Sequence, residues 1–163
     1  MTVLGKYNFN SSDGTDQKFP VGSTVEIKGA TWIYCKATAA AIALGDVLSC
    51  VGSNPGVVES ATTTTVTAEG TGGGMCAIAQ FAVAASEYFW AAAGPFNLRE
   101  DGSTVFYARV QNATAGAILQ SHATAGTLDD ATTKALLGLV LLTTVTTLAA
   151  VPVRAFKRLT WVA

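Results

Sequence analysis

Apolar and polar positions fall into short runs along this chain. Residues 31–35, 47–51, 75–83, 88–92, 104–110, 136–142 and 151–156 are rich in β-branched, aromatic and leucine side chains. Turn-forming clusters, Asn54-Pro55-Gly56 the strongest among them, separate these runs at the spacing of an all-β sandwich or barrel. The expected fold is therefore all-β: a compact β-barrel or sandwich of short strands. Trp32, Tyr34, Val47, Ile78, Phe81, Trp90, Tyr107, Leu119, Leu139 and Val153 are its expected core. The alanine-rich pieces 37–43 and 82–85 are compatible with short helical turns, because alanine is the best helix former. In Tyr88-Phe89-Trp90, large aromatics point to both faces of a strand. Such a strand is either fully enclosed or meets a partner on its outer face.

The chain also resembles itself. Ala37-Thr38-Ala39-Ala40-Ala41-Ile42 matches Ala113-Thr114-Ala115-Gly116-Ala117-Ile118, and residues 56–63 match residues 126–133. Each half has an aromatic strand first, Trp32-Ile33-Tyr34 and then Val105-Phe106-Tyr107. Two readings stand: a duplicated β-unit, or coincidence in a chain rich in alanine and threonine.

Residues 1–29 are polar and turn-rich, with Asn8, Asn10, Ser11, Ser12, Asp13 and Gly14, yet Tyr7, Phe9 and Phe19 are spaced through them. The division expected is an extended N-terminal arm, 1–29, and a β-domain, 30–163. A fraying terminus is the plain alternative. As an arm, the segment would add to a neighbour's sheet edge with Tyr7, Phe9 and Phe19 as anchors. Deleting residues 1–20 would then weaken attachment and leave the β-domain folded.

Charge narrows the picture further. Only 13% of residues are charged, about half the roughly 25% of an ordinary soluble domain, and the net charge is -1. A surface so poor in charge is weakly defended against association, so other chains are expected to cover much of it. A strongly basic nucleic-acid module is excluded. Residues 135–153 carry no charge, but Thr143, Thr144, Thr146 and Thr147 interrupt them, which favours two strands over a membrane helix. The three cysteines, Cys35, Cys50 and Cys76, have no metal-ligand spacing and read as buried thiols. With no secretory signal visible, they point to synthesis in a reducing cytoplasm.

Chemistry is sparse. His122, the single histidine, follows Ser121 directly, and neighbours on a strand face opposite ways, which disfavours a nucleophile–base pair. Gly72-Gly73-Gly74 lacks the GK[ST] of a phosphate loop. Asp129-Asp130 and Glu100-Asp101 sit beside turn residues, where solvated caps are the ordinary role. Arg154, Lys157 and Arg158 form a small basic cluster, too small for nucleic acid but suited to an acidic protein patch. No enzymatic activity and no cofactor or metal are expected.

Trp32-Ile33-Tyr34-Cys35-Lys36-Ala37, Ala43-Leu44-Gly45-Asp46-Val47, Ala77-Ile78-Ala79-Gln80 and Glu87-Tyr88-Phe89-Trp90 followed by Gly94 carry a resemblance. Over about residues 30–155 the chain resembles small structural proteins of tailed bacteriophages, including the head decoration (cement) proteins. The resemblance implies a β-rich, often trimeric subunit on the outer capsid, bound to the major capsid protein, assembled in the host cytoplasm. It implies no membrane, nucleic-acid or small-molecule partner and transfers no catalytic residue. A tail-tube, head-fibre or receptor-facing module of the same virion is the near alternative, and a carbohydrate-binding or hydrolytic β-domain the distant one. The residues expected at the partner surface are Tyr7, Phe9, Phe19, Arg154, Lys157 and Arg158.

Overall fold

The computed structural model describes residues 9–27, 29–51, 56–61, 76–96, 106–131 and 135–162. The fold is all-β, with no helix among the described residues. Tyr7, the Asn54-Pro55 turn, the Gly72–Gly74 run and the Glu100-Asp101 pair lie outside them.

Among the described residues, eleven strands form two closed five-stranded barrels plus one added strand. The first barrel consists of β2 (Ala30–Ala37), β3 (Val47–Cys50), β4 (Val57–Ser60), β5 (Cys76–Ile78) and β6 (Tyr88–Ala92). Their order is β2-β4-β3-β5-β6, and a β2–β6 pairing closes the ring. β1 (Thr24–Ile27) adds to β2 as an antiparallel hairpin, Thr24 opposite Ile33. The second barrel consists of β7 (Phe106–Val110), β8 (Gln120–Ser121), β9 (Leu128–Asp129), β10 (Ala135–Leu141) and β11 (Ala149–Val162), closed in the order β7-β9-β8-β10-β11.

The two barrels are the same structure built twice. In each, the first and third strands pair in parallel and every other pairing is antiparallel. Single hydrogen bonds fix the register. Thr38 N–H donates to Val58 O and Gln111 N–H to Leu128 O; Gly45 N–H donates to Ala79 O and Gly116 N–H to Leu141 O. Ile33-Tyr34 is thereby equivalent to Phe106-Tyr107, and Gly56 (φ 93°) to Gly126 (φ 72°), as the repeat in the sequence pairs them. The alanine–threonine match needs correction. Ile42, bridged to Val83, is equivalent to Ala113, bridged to Val145, so Ala37 does not correspond to Ala113. Small side chains of similar size cannot fix a register, whereas a bridge can. The alanine-rich pieces form these bridges, bends and a turn rather than helix.

Alternation decides what fills each lumen. Ile33, Cys35 and Ala37 from β2, Leu48 and Cys50 from β3, Val58 from β4, and Phe89 and Ala91 from β6 form one buried cluster, the core of barrel 1. Phe106, Ala108, Val110, Leu119, Leu128, Leu141, Val153 and Ala155 hold the corresponding places in barrel 2. Trp32, Tyr34, Val47, Ile78 and Trp90 face the other way, out of barrel 1, and join the core of barrel 2 in a second cluster. Phe106 touches Trp32 (centroids 5.6 Å apart) and stacks on Phe96 at 4.4 Å. Of the expected core, Phe81 and Tyr107 are only half-buried: Phe81 meets Phe89 edge-on, and Tyr107 points outward from β7.

Candidate functional site

Arg154, Phe156, Lys157 and Arg158 are all exposed on β11. Val153 and Ala155 face inward, so Arg154 and Phe156 take the outward places of the alternation, and the pairing beyond them is irregular. Leu139 pairs with Ala155 but Leu137 pairs with Thr160, so β11 carries extra residues between two points of the ladder. A bulge of this kind bends the strand and re-aims its side chains. Leu159 N–H donates to Ala93 O (2.9 Å), and Ala155 and Phe96 exchange backbone bonds. The far half of β11 is thus held against barrel 1, with the bulge between two anchored points. Phe156 is 67% exposed, the most exposed large apolar side chain among the described residues. Arg158 lies near enough to Cys50 to oppose, by its charge, the upward push that burial gives that thiol. Arg154, Lys157 and Arg158, expected at a partner surface, are each exposed along this stretch of β11. Phe156 was not singled out by the sequence, where it read as the end of an ordinary strand.

The aromatic residues expected as arm anchors lie elsewhere. Phe9 packs against Trp32 (4.5 Å) and Trp90 (5.9 Å), and Phe19 meets Tyr34 and Trp90, each at 5.2 Å. Asp13 N–H donates to Tyr88 O, Tyr88 N–H to Gly14 O, and the Tyr34 hydroxyl to Asp13 Oδ2 at 2.8 Å. Residues 9–23 therefore cover the outer aromatic face of barrel 1 in their own chain. That is the covering partner which Tyr88-Phe89-Trp90 requires. The boundary expected at residue 30 falls inside the β1–β2 hairpin, and Tyr7 is outside the described residues.

Several other ionisable groups are held by contacts within the fold. Asp46 is buried between the barrels, accepting from Arg109 Nη1 (2.6 Å), Ala43 N–H (2.9 Å) and Ser60 Oγ (2.8 Å). His122 Nε2 is 3.9 Å from Asp129 Oδ2, and His122 Nδ1 accepts from Thr124 N–H. Burial pushes the Asp129 carboxyl above its ordinary range, against the opposing pull of Ala131 N–H and His122. Cys35 and Cys76 are fully enclosed, and burial pushes both thiols well up, away from the reactive thiolate. Among the described residues, no group of three or more His, Cys, Asp or Glu could hold a metal ion. Among the described residues, no helix is long and apolar enough to cross a membrane. No match to the chain was found among protein-family models, curated proteins or solved structures.

Proposed function

We propose that this chain is a virion structural protein of a tailed bacteriophage, a decoration (cement) subunit that binds and stabilises the outside of the capsid shell as a homotrimer. The observation that carries the reading is the β11 bulge, where an exposed phenylalanine stands among three cations. Aromatic and arginine side chains are the commonest energetic anchors of protein interfaces. A cationic rim around such an anchor favours an acidic patch, here on the major capsid protein. The low charge of the chain and its resemblance to head proteins lend further support. Its mechanism is binding rather than turnover: each subunit clamps neighbouring capsomers and adds contacts across their seams. It acts on the capsid exterior after synthesis in the host cytoplasm, without a cofactor.

The test is co-sedimentation of the purified protein with undecorated capsids. Saturable binding is expected, with Phe156→Ala weakening it about thirtyfold, the factor for about 2 kcal/mol at an anchor. Absence of binding to any undecorated shell, or full binding by a Phe156→Ala, Arg154→Ala double variant, overturns the proposal.

A further inference from the structure

The duplication separates what closing a barrel requires from what only one copy carries. The register above pairs Val47 with Ile118, Ile78 with Val140 and Ala92 with Arg154. The Ile78–Ala92 pairing of barrel 1 and the Val140–Arg154 pairing of barrel 2 are therefore the same closure. Just beyond it the barrels part. β6 ends at Ala92, and Gly94 stands at the place of Phe156. β11 runs on irregularly: from the Leu139–Ala155 pair to the Leu137–Thr160 pair, β10 advances two residues and β11 five. The described strands of barrel 1 close without such an insertion, so closure alone does not account for it.

The insertion is held tightly. Ala155 exchanges backbone bonds with Phe96 on one side of it, and Leu159 N–H donates to Ala93 O on the other. Between these points Phe156, Lys157 and Arg158 are all exposed, where a regular strand would turn the middle one inward. Two glycines meet the backbone of that middle residue. Gly94 follows β6 in barrel 1, and a Cβ on it would stand 2.6 Å from Lys157 O and 3.1 Å from Ala155 Cβ. Gly138 lies within β10 of barrel 2. A Cβ on it would stand 3.0 Å from Lys157 Cγ and 3.2 Å from the carbonyl oxygens of Lys157 and Arg158. Both glycines have positive φ, 71° and 98°. Glycine inside a strand marks a close approach of another backbone. The counterpart of Gly138 in barrel 1 is Cys76, an ordinary buried side chain.

We infer that Gly94 and Gly138 are positioning residues of the partner surface. By admitting the Lys157 backbone they fix the bulge, so that Phe156, Lys157 and Arg158 stand outward before any partner arrives. The inference rests on the reading of this bulge as the capsid-binding surface and adds how the fold prepares it. Ordering a loop on contact costs affinity, and a loop already ordered avoids that cost. The occupant is the acidic patch of the major capsid protein. Outward side chains at three consecutive positions suit it: the Phe156 ring takes an apolar recess, and the two cations beside it take carboxylates.

The experiment takes two readouts on the full-length protein. Backbone order parameters from nitrogen-15 relaxation are expected at about 0.85 for residues 156–158 in wild type, the value of rigid strand, and lower in Gly138→Ala. Co-sedimentation with undecorated capsids should weaken about tenfold in Gly138→Ala, with Gly94→Ala as a second variant of the same expectation. Gly45→Ala is the control. A Cβ there would stand 3.0 Å from Arg109 N at φ 80°, a comparable strain away from the bulge, and both readouts should stay at wild-type values. Wild-type order parameters below about 0.6 at 156–158 overturn the inference whether or not a variant folds. Wild-type capsid binding by Gly138→Ala, or an equal loss in Gly45→Ala, overturns it and leaves the capsid reading intact. A wild type that binds no capsid, with 156–158 ordered and Gly138→Ala loosening them, upholds the ordered bulge and overturns the capsid reading.

Discussion

Arg109 of barrel 2 reaches Asp46 of barrel 1 at 2.6 Å, across the joint between the two halves of the molecule. The Asp46 side chain is only 5% exposed, and its second oxygen is held by Ala43 N–H and Ser60 Oγ. Its partners come from β7 (Arg109), from the end of β4 (Ser60) and from the loop before β3 (Ala43), which meet at the joint. This pair tells the barrels how to sit, and the neighbouring Gly45 allows the close approach.

Removing one member of a buried pair leaves the other uncompensated. Asp46→Ala should therefore cost about 3 kcal/mol of unfolding free energy. Asp46→Asn keeps an acceptor for Ala43 N–H and should cost about half as much. Urea unfolding of both variants, together with Arg109→Ala and the double variant, gives the coupling. A coupling near zero would show that the joint is held by Val47 and Ile78 rather than by charge.

The same joint makes a sharp distinction between two glycines. Gly126 and Gly29 both lie near φ 70°, so alanine at either strains the backbone by about 1 kcal/mol. A Cβ at Gly29 meets nothing within 4 Å, whereas at Gly126 it would collide with the Asp46 carboxyl. Gly126→Ala should destabilise by at least about 2 kcal/mol more than Gly29→Ala in thermal melts.

Residues 9–19 behave as part of the core's cover. Phe19→Ala should cost about 2 kcal/mol, below the roughly 3–5 of a fully buried phenylalanine, because the ring is only half-buried. Deletion of residues 1–20 should lower the melting temperature and expose Trp32 and Trp90 to quenching by iodide. An unchanged melt would mean that barrel 1 does not need this cover.

Asp129 gives the protein a pH dependence of defined sign. Burial raises its folded-state value above the ordinary 3.8, so the folded state binds this proton more tightly than the unfolded chain. Its contribution to stability is complete below pH 3.8 and is lost as pH rises through the raised folded value. Asp129→Asn should therefore be more stable than wild type at pH 7 and equal to it near pH 3. Paired melts at the two pH values check this, and a variant less stable at pH 7 would reverse the sign.

The sequence by itself determined the all-β class, the longer strands and the low charge, and it offered a repeat without deciding between duplication and composition. Alternating β-branched and aromatic residues leave a chain few other ways to bury its apolar face, so 31–35, 88–92 and 106–110 are legible without coordinates. The Ile33-Tyr34 and Phe106-Tyr107 equivalence is legible for the same reason: large side chains of distinct shape mark a register. Tertiary structure alone decided the rest. Whether Val47 or Ile118 is buried depends on which barrel follows which, a relation that no local pattern encodes. The cover formed by Phe9 and Phe19 depends on where β2 and β6 place their outer aromatics. The exposure of Phe156 depends on pairing that turns the Val153–Ala155 face of β11 inward, which a single strand cannot announce. Local chemistry fixes what each segment can become, and contacts between residues distant in sequence fix which of its faces meets water.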